Sequence, residues 1–176
     1  MAYKDFSEDL KFSLTEYDTI LKFMEGYFHT PNISIVEDIE LQKQGIDFIV
    51  YKADGTTINI DVKTYRKNRN AIYLEEMSNR IIGKLGWLLS EDNKTDYYIF
   101  YFSDTKDLII MSKKYALHIY DSLKKSYYFS NYIRWNKNSL GSYIPISLEK
   151  LSDYRYSFNN FFTYEHYNMK EIYAGD

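Results

Sequence analysis

The sequence of 176 residues predicts a single α/β domain, and three patterns support this prediction. A long amphipathic helix pattern comes first, two alternating strand segments follow, and a buried strand pair then precedes a second helix. With 45% hydrophobic residues, the chain can bury one full core but is too short for two. We place this core at about residues 7–125 and treat residues 126–176 as an aromatic-rich C-terminal extension.

The first pattern predicts a helix over residues 7–28. Ser7 is a suitable N-cap, and apolar residues then recur at helical spacing as a stripe that should face the sheet. The stripe consists of Leu10, Leu14, Tyr17, Leu21, Met24 and Phe28. Glu16 and Glu25 border the stripe on opposite sides, so either could lie between the helix and the sheet.

The second pattern predicts a β-hairpin. Residues 46–52 and 57–63 both alternate apolar and polar side chains, which is typical of half-buried strands. Their apolar residues share one face if Phe48 pairs with Ile60, and this register leaves a three-residue loop that ends at Gly55. Such loops favour glycine at the last position because the backbone there is left-handed.

The same register brings charged residues together. It places Asp47 directly opposite Asp61, with Cβ atoms about 4.5 to 5.5 Å apart, and Lys63 points to the same face. Two carboxylates this close repel unless a cation or a proton lies between them. Oxygen ligation suits Mg²⁺ or Mn²⁺, and Lys63 would then orient a water for attack on a phosphodiester. An ordinary surface hairpin with solvated charges is the alternative interpretation.

Asp47, followed on the next strand by Asp61-Val62-Lys63, resembles the motif of the PD-(D/E)xK nuclease superfamily. The resemblance implies a restriction-endonuclease-like core, in which a helix, three antiparallel strands, a helix and a further strand build a central mixed β-sheet flanked by helices. Ile46 stands where the family name has proline. Asp61 is the shorter of the two acids that the motif allows.

The resemblance also implies roles for residues. Asp47, Asp61 and the backbone carbonyl of Val62 would bind Mg²⁺ or Mn²⁺, and Lys63 would be the catalytic lysine. Family members often add a glutamate from the first helix. We favour Glu16 for this role over Glu25 because further apolar residues flank it, although the crossing of helix and sheet leaves both open.

The implied activity is that of a metal-dependent endonuclease or exonuclease that hydrolyses DNA phosphodiester bonds with a Mg²⁺-activated water. A basic run of Arg66, Lys67 and Arg69 follows Lys63 and would contact substrate phosphates, unless it is simply a solvated loop. The net charge of −3 argues against a protein that coats DNA nonspecifically, because such binding depends on positive charge.

Further elements follow the hairpin. Residues 71–77 predict a third strand, from which Glu75 or Glu76 could approach the site, although we favour an edge or surface position for both. Residues 79–90 predict at most a short, broken helix. Residues 97–102 and 107–111 predict a buried strand pair, and Ser112 should cap a helix over 113–125. Residues 142–146 predict an edge strand, which a short helix follows.

The aromatic residues of the C-terminal extension support two interpretations. Stacked on unpaired bases, they would form a surface for single-stranded or branched DNA. Packed against each other, they would belong to the core or to a homodimer interface. The second interpretation suggests an alternative function, in which the chain is a nuclease-fold binding protein, for instance a phage-borne inhibitor of a host defence complex. A purely structural oligomer is a further alternative.

Composition limits the remaining possibilities. The absence of cysteine excludes disulfides, thiolate zinc sites and cysteine nucleophiles, and the three histidines stand at no metal-ligand spacing. No apolar run is long enough to span a membrane, and the N-terminus lacks a signal-peptide core. We therefore expect a cytoplasmic protein without a membrane partner. Its richness in Lys, Asn, Tyr and Ile indicates an AT-rich coding genome, which fits a low-GC bacterium or its phage.

Overall fold

The computed structural model describes residues 6–126, 128–135, 140–155 and 164–169. In chain order, its helices are α1 (Phe6–Phe28), α2 (Ile39–Lys43), α3 (Lys113–Lys124) and α4 (Leu148–Arg155), with a short 3-10 helix at Phe129–Asn131. Its strands are β1 (Ile33–Ile35), β2 (Phe48–Tyr51), β3 (Thr57–Tyr65), β4 (Ala71–Asn79), β5 (Lys84–Leu85), β6 (Tyr97–Phe102), β7 (Asp107–Ser112), β8 (Arg134–Trp135), β9 (Ser142–Ser147) and β10 (Tyr164–Asn168).

The central sheet is mixed, and the fold is α/β as predicted. Its strand order is β1-β2-β3-β6-β7-β10. Strands β1, β2 and β3 form an antiparallel meander, whereas β6 lies parallel to β3. Helix α1 packs on one face of this sheet and α3 on the other. The parallel pair requires the chain to cross from one end of the sheet to the other between β3 and β6.

That crossover does not contain the predicted helix at residues 79–90. The chain instead forms β4 and β5, which belong to a second sheet with the order β5-β4-β9-β8. The reason is local: the carboxamide of Asn79 accepts the N–H of Ile81 at 3.0 Å, and Gly83 has a φ of 67°, so a tight turn forms after Asn79. The third strand of the meander is β1, which the sequence analysis did not predict.

Two apolar cores lie on opposite faces of the central sheet. The first fills the space beneath α1 and contains Ile20, Phe23, Met24, Phe48, Val50, Ile60, Ile99 and Ile110. The second lies between the central sheet, the second sheet and α3, and contains Ile72, Leu74, Tyr98, Phe100, Met111, Tyr115, Ile119 and Ile144. Strand β6 is therefore buried on both faces, as its unbroken apolar run predicted. The predicted stripe positions Leu10 and Leu14 lie outside the described side chains.

The C-terminal region contributes strands to both sheets. Strand β9, predicted at an edge, lies between β4 and β8 because its alternating apolar residues Ile144 and Ile146 face the second core. Strand β10 pairs with β7 at the edge of the central sheet. Helix α3 begins as predicted, with the hydroxyl of Ser112 accepting the N–H of Tyr115. Many of the aromatic residues in the predicted extension lie outside the described residues, including those at 156–163.

Candidate functional site

The hairpin of β2 and β3 has the predicted register. Phe48 pairs with Ile60, and the loop ends at Gly55, whose φ of 83° is the left-handed backbone that the prediction required. The carboxylate of Asp54 accepts the N–H of Thr56 at 2.9 Å and so stabilises the loop. Because this register fixes which residues face each other, Asp47 and Asp61 meet across the two strands.

Asp47 and Asp61 form a pair of carboxylates in which Asp61 is buried and Asp47 is partly buried. Asp47 Oδ2 accepts the backbone N–H of Val62 at 2.7 Å, and Asp61 is only 2% exposed. Burial, followed by the negative charge of Asp61, raises the pKa of Asp47 to about 7. Among the described residues, Asp61 Oδ2 has no hydrogen-bond partner although it is buried. The pair therefore has acceptor capacity for one more proton or cation.

Lys63 partly compensates this negative charge. Its Nζ lies 2.8 Å from Asp61 Oδ1 and 5.0 Å from the centre of the Trp87 ring. Trp87 in turn packs on Tyr98, with ring centres 4.6 Å apart. The lysine side chain remains 25% exposed, so its ammonium is positioned by a carboxylate and an aromatic face and still reaches solvent.

Glu75 of β4 lies near this pair and interacts with it through its charge, without joining it as a metal ligand. Its Oε2 accepts the backbone N–H of Trp87 at 3.1 Å. Burial raises the pKa of Glu75, as does the charge of Asp61, while Lys63 lowers it. Glu75 therefore approaches the site, and the edge or surface position that we favoured for it is wrong. Only the second sheet, which no local sequence pattern predicted, brings β4 over Lys63.

Glu76 also departs from its expected surface position. Its carboxylate accepts hydrogen bonds from the hydroxyl of Tyr120 at 3.2 Å and from that of Ser142 at 3.1 Å. These contacts join β4 to α3 and β9, so Glu76 fixes the second sheet in place. Glu75 and Glu76 are neighbours in β4, but their side chains have different partners. Glu75 lies near the site, whereas Glu76 has a structural role.

Two tyrosines border the carboxylate pair. Tyr17 of α1 is buried against Phe48, and its pKa is raised by burial and then by the charges of Asp47 and Asp61. Burial and Asp61 likewise raise the pKa of Tyr98, whose hydroxyl accepts a hydrogen bond from Asn93 at 2.9 Å. Both phenols therefore stay neutral at physiological pH and add no further negative charge.

Gly86 makes the contact between Glu75 and Trp87 possible. A Cβ atom at this position would lie 2.6 Å from the carbonyl oxygen of Glu75, which is backbone and cannot rotate away. We expect Gly86→Ala to reduce the free energy of unfolding by about 2 to 3 kcal/mol, because overpacking forces the backbone apart. Urea unfolding measures this loss.

Gly26 provides the matched control for that prediction. It lies in α1, and a Cβ atom there would meet nothing within 4 Å. Gly26→Ala should leave stability unchanged or raise it by about 0.5 to 1 kcal/mol, because alanine is the better helix former. Equal effects of the two substitutions would show that the close approach at Gly86 carries no energetic weight.

Glu16 does not join the carboxylates. Its Oε1 accepts the hydroxyl of Ser103 at 2.5 Å, and its Oε2 lies 3.2 Å from Lys106 Nζ. Burial alone would raise the pKa of Glu16, but these two hydrogen bonds lower it overall. The reason is the layer order: α1 covers one face of the central sheet, while Asp61 and Lys63 point to the other, beside Tyr98 and Phe100. The alternative, Glu25, belongs to the same helix.

The predicted phosphate-contacting residues lie in the loop after β3. The guanidinium of Arg66 lies 4.1 Å from the centre of the Phe12 ring, and Lys67 and Arg69 are exposed. Asn68 fixes this loop, since its N–H donates to Asp104 at 2.8 Å and its side-chain amide to Asp107 at 2.8 Å. The basic run is thus held at the end of β3, a few residues beyond Lys63.

Within the part of the chain that the structure describes, no group of three or more His, Cys, Asp or Glu side chains could hold a metal ion. Asp47 and Asp61 are therefore a two-carboxylate site, to which Val62 contributes a backbone N–H bond.

In the described residues, no helix is both long and apolar enough to cross a membrane. No family model, no curated protein and no solved structure matches this chain.

Proposed function

We propose that this chain is a metal-dependent nuclease of the PD-(D/E)xK type that hydrolyses DNA phosphodiester bonds. The observation that carries the proposal is the carboxylate pair of Asp47 and the buried Asp61, with an unpartnered oxygen on Asp61 and the ammonium of Lys63 at 2.8 Å. Two adjacent carboxylates repel each other when both are charged, so the pair favours binding of a divalent cation in addition to the ammonium of Lys63.

The order of elements supports this proposal. Helix α1 precedes three antiparallel strands, and a further strand, β6, lies parallel to the third. This is the order that the resemblance implies, with one motif carboxylate, Asp47, directly before the second strand and the other, Asp61, on the third. The chain departs from it in three respects, since α2 lies between β1 and β2, β4 and β5 replace the helix of the crossover, and the glutamate on α1 binds elsewhere.

The residues fit Mg²⁺ or Mn²⁺. Carboxylate oxygens are the ligands that these hard ions prefer, and they retain several waters, so two side chains are sufficient. Asp47 and Asp61 would hold the ion, together with the carbonyl of Val62. When bound, such an ion supplies positive charge that stabilises the reacting phosphate and makes a nearby water more acidic.

The chain's own residues would do the remaining work. Lys63 is held by Asp61 and Trp87 with its ammonium at the solvent boundary, where it can donate a hydrogen bond to the attacking water or to a phosphate oxygen. Glu75 acts through the Trp87 backbone to keep that ring over Lys63. Arg66, Lys67 and Arg69 would contact the phosphates that flank the scissile bond.

One experiment tests the proposal directly. The purified protein is incubated with linear, supercoiled, single-stranded and branched DNA, and with RNA, in Mg²⁺ or Mn²⁺. We expect cleavage of at least one DNA substrate by the wild type and none by Asp61→Asn. Glu40→Gln, a substitution at an exposed carboxylate on α2, is the matched control and should cleave normally. A wild type that cleaves none of these substrates would favour the alternative, a binding protein with a nuclease fold.

Metal binding has a readout that does not depend on activity. We expect Mn²⁺ at ten times its dissociation constant to raise the melting temperature by about 3 to 6 °C, because it stabilises the folded chain by about 1.4 kcal/mol. Asp61→Asn should abolish this shift, and Glu40→Gln should retain it. An unchanged melting temperature of the wild type in millimolar Mn²⁺ would contradict a metal site at Asp47 and Asp61.

A further inference from the structure

The turn between β4 and β5 exposes two adjacent isoleucines. Ile81 and Ile82 are each 72% exposed, which is more than any other large hydrophobic residue among the described side chains. Further exposed apolar side chains belong to the same end of the second sheet, where the backbone N–H of Arg80 donates to the carbonyl of Leu140. We call this surface the tip patch, and it consists of Ile81, Ile82, Leu85, Trp135 and Leu140.

The fold does not require isoleucine at these positions. The turn is stabilised by the carboxamide of Asn79, which accepts the N–H of Ile81, and by Gly83 at a φ of 67°. Turns of this kind normally carry polar residues at the exposed positions. Adjacent exposed apolar residues with a polar rim are typical of a contact surface. The side chains of Ile81 and Ile82 are therefore available to contact another molecule.

The charges around the tip patch favour an anionic partner. Arg80 lies in the turn, with its guanidinium 4.8 Å from the centre of the Trp135 ring, and Lys84 follows the turn. Arg134 precedes Trp135 and is exposed. Residues 80–85 contain no acidic residue. Cations that surround a protruding pair of aliphatic side chains match the chemistry of duplex DNA, where phosphates flank apolar stacked bases.

The position of the tip patch relates it to the candidate site. Strand β4 carries Glu75 at the site and ends at Asn79. The turn that follows is complete four residues later, at Gly83. At about 3.3 Å per residue, the turn begins about 13 Å beyond Glu75. Since base pairs are spaced about 3.4 Å along a duplex, this corresponds to about four base pairs. The length of β4 from Glu75 to the turn is therefore within the span of a short DNA duplex.

We propose that the tip patch is a wedge for double-stranded DNA. In this arrangement Ile81 and Ile82 insert at a base step and partly unstack it, while Arg80 and Lys84 contact the adjacent phosphates. Apolar side chains at such positions commonly kink a duplex, and the cost of unstacking is offset by the additional contacts. This inference rests on the proposed function because both require that the chain binds DNA. The wedge itself does not require that the DNA is hydrolysed.

Base unstacking can be measured directly. A series of duplexes, each with 2-aminopurine at a different step, is titrated with protein in EDTA so that cleavage does not occur. We expect the wild type to increase the fluorescence at one step by at least 3-fold, because unstacked 2-aminopurine is no longer quenched. The double variant Ile81→Ser and Ile82→Ser should lose this increase and bind the duplex about 10-fold more weakly.

Matched variants separate this proposal from the proposed function. Ile35→Ser combined with Ile39→Ser removes two exposed isoleucines elsewhere on the surface and should keep the fluorescence increase. Asp61→Asn should also keep it, since the wedge acts without cleavage. If DNA is cleaved but the tip variant gives the same fluorescence increase as the wild type, the wedge proposal is wrong and the nuclease proposal is supported. If no substrate is cleaved but the fluorescence increase occurs and depends on Ile81 and Ile82, the wedge proposal is supported and the nuclease proposal is wrong.

Other occupants of the tip patch would also be detected. If the tip variant binds DNA normally but loses self-association in sedimentation, the patch contacts a second copy of the chain and the wedge is overturned. If the variant instead loses binding to anionic lipid vesicles while DNA binding is unchanged, a lipid surface is the partner and the wedge is again overturned. Thermal melting of the variants confirms that each is folded.

Discussion

Replacing Lys63 with methionine should lower the rate of DNA cleavage at least 100-fold. The methionine matches the aliphatic part of the side chain but removes the ammonium that lies 2.8 Å from Asp61 Oδ1 and 5.0 Å from the centre of the Trp87 ring. Loss of one donor that stabilises developing charge typically costs two to three orders of magnitude in rate. The measurement is the initial rate of cleavage of the preferred DNA substrate at saturating Mg²⁺.

Stability has to be separated from catalysis in this experiment. Without Lys63, the buried Asp61 loses its charged partner, and we expect a loss of about 1 to 3 kcal/mol. Lys63→Arg retains the ion pair while changing the geometry of the donor, so it should keep the stability but still cleave slowly. Lys43→Met removes an exposed lysine from α2 and is the matched control. Normal cleavage by both Lys63 variants would eliminate Lys63 from the mechanism.

Replacing Asp47 with asparagine should stabilise the metal-free protein at alkaline pH. The folded state raises the pKa of Asp47 from 3.8 to about 7, so between these values it binds more protons than the unfolded chain. The free energy of unfolding therefore falls as the pH rises from about 4 to about 7. At 1.36 kcal/mol for each pKa unit, this effect reaches up to about 4 kcal/mol above pH 7.

The asparagine variant lacks this titration but retains an acceptor for the N–H of Val62. Urea unfolding in EDTA at several pH values from 4 to 8 should therefore show similar stabilities near pH 4 and a more stable variant at pH 8. Asp92→Asn, at an exposed carboxylate, is the control and should follow the wild type. Parallel curves for the wild type and Asp47→Asn would contradict the raised pKa of Asp47 in the folded chain.

Bound metal should reverse this pH effect. A divalent ion favours the charged form of Asp47, so saturating Mn²⁺ should reduce the loss of wild-type stability between pH 5 and pH 8. Asp47→Asn should gain much less from the ion at pH 8, because it lacks one of the two carboxylates. The same urea experiment with and without Mn²⁺ measures both effects. A gain equal to that of the wild type would exclude Asp47 as a ligand.

Local sequence patterns determined the hairpin and much of the central sheet. The alternation of apolar residues fixed the pairing of Phe48 with Ile60, because a shift by one residue would expose every apolar side chain of one face. Gly55 fixed the loop, and the unbroken apolar run of β6 identified a strand buried on both faces. These features depend on neighbours along the chain or across one tight turn, so a single sequence contains them.

Long-range packing decided the rest of the site. No local pattern indicates that β4 leaves the central sheet to pair with β9, and this pairing brings Glu75 and Trp87 to Lys63. The face on which α1 packs decided that Glu16 binds Ser103 and Lys106. The sequence by itself therefore determined that Asp47, Asp61 and Lys63 converge. Which side chains surround them was decided by contacts between residues far apart in the chain, and these depend on how the completed layers pack.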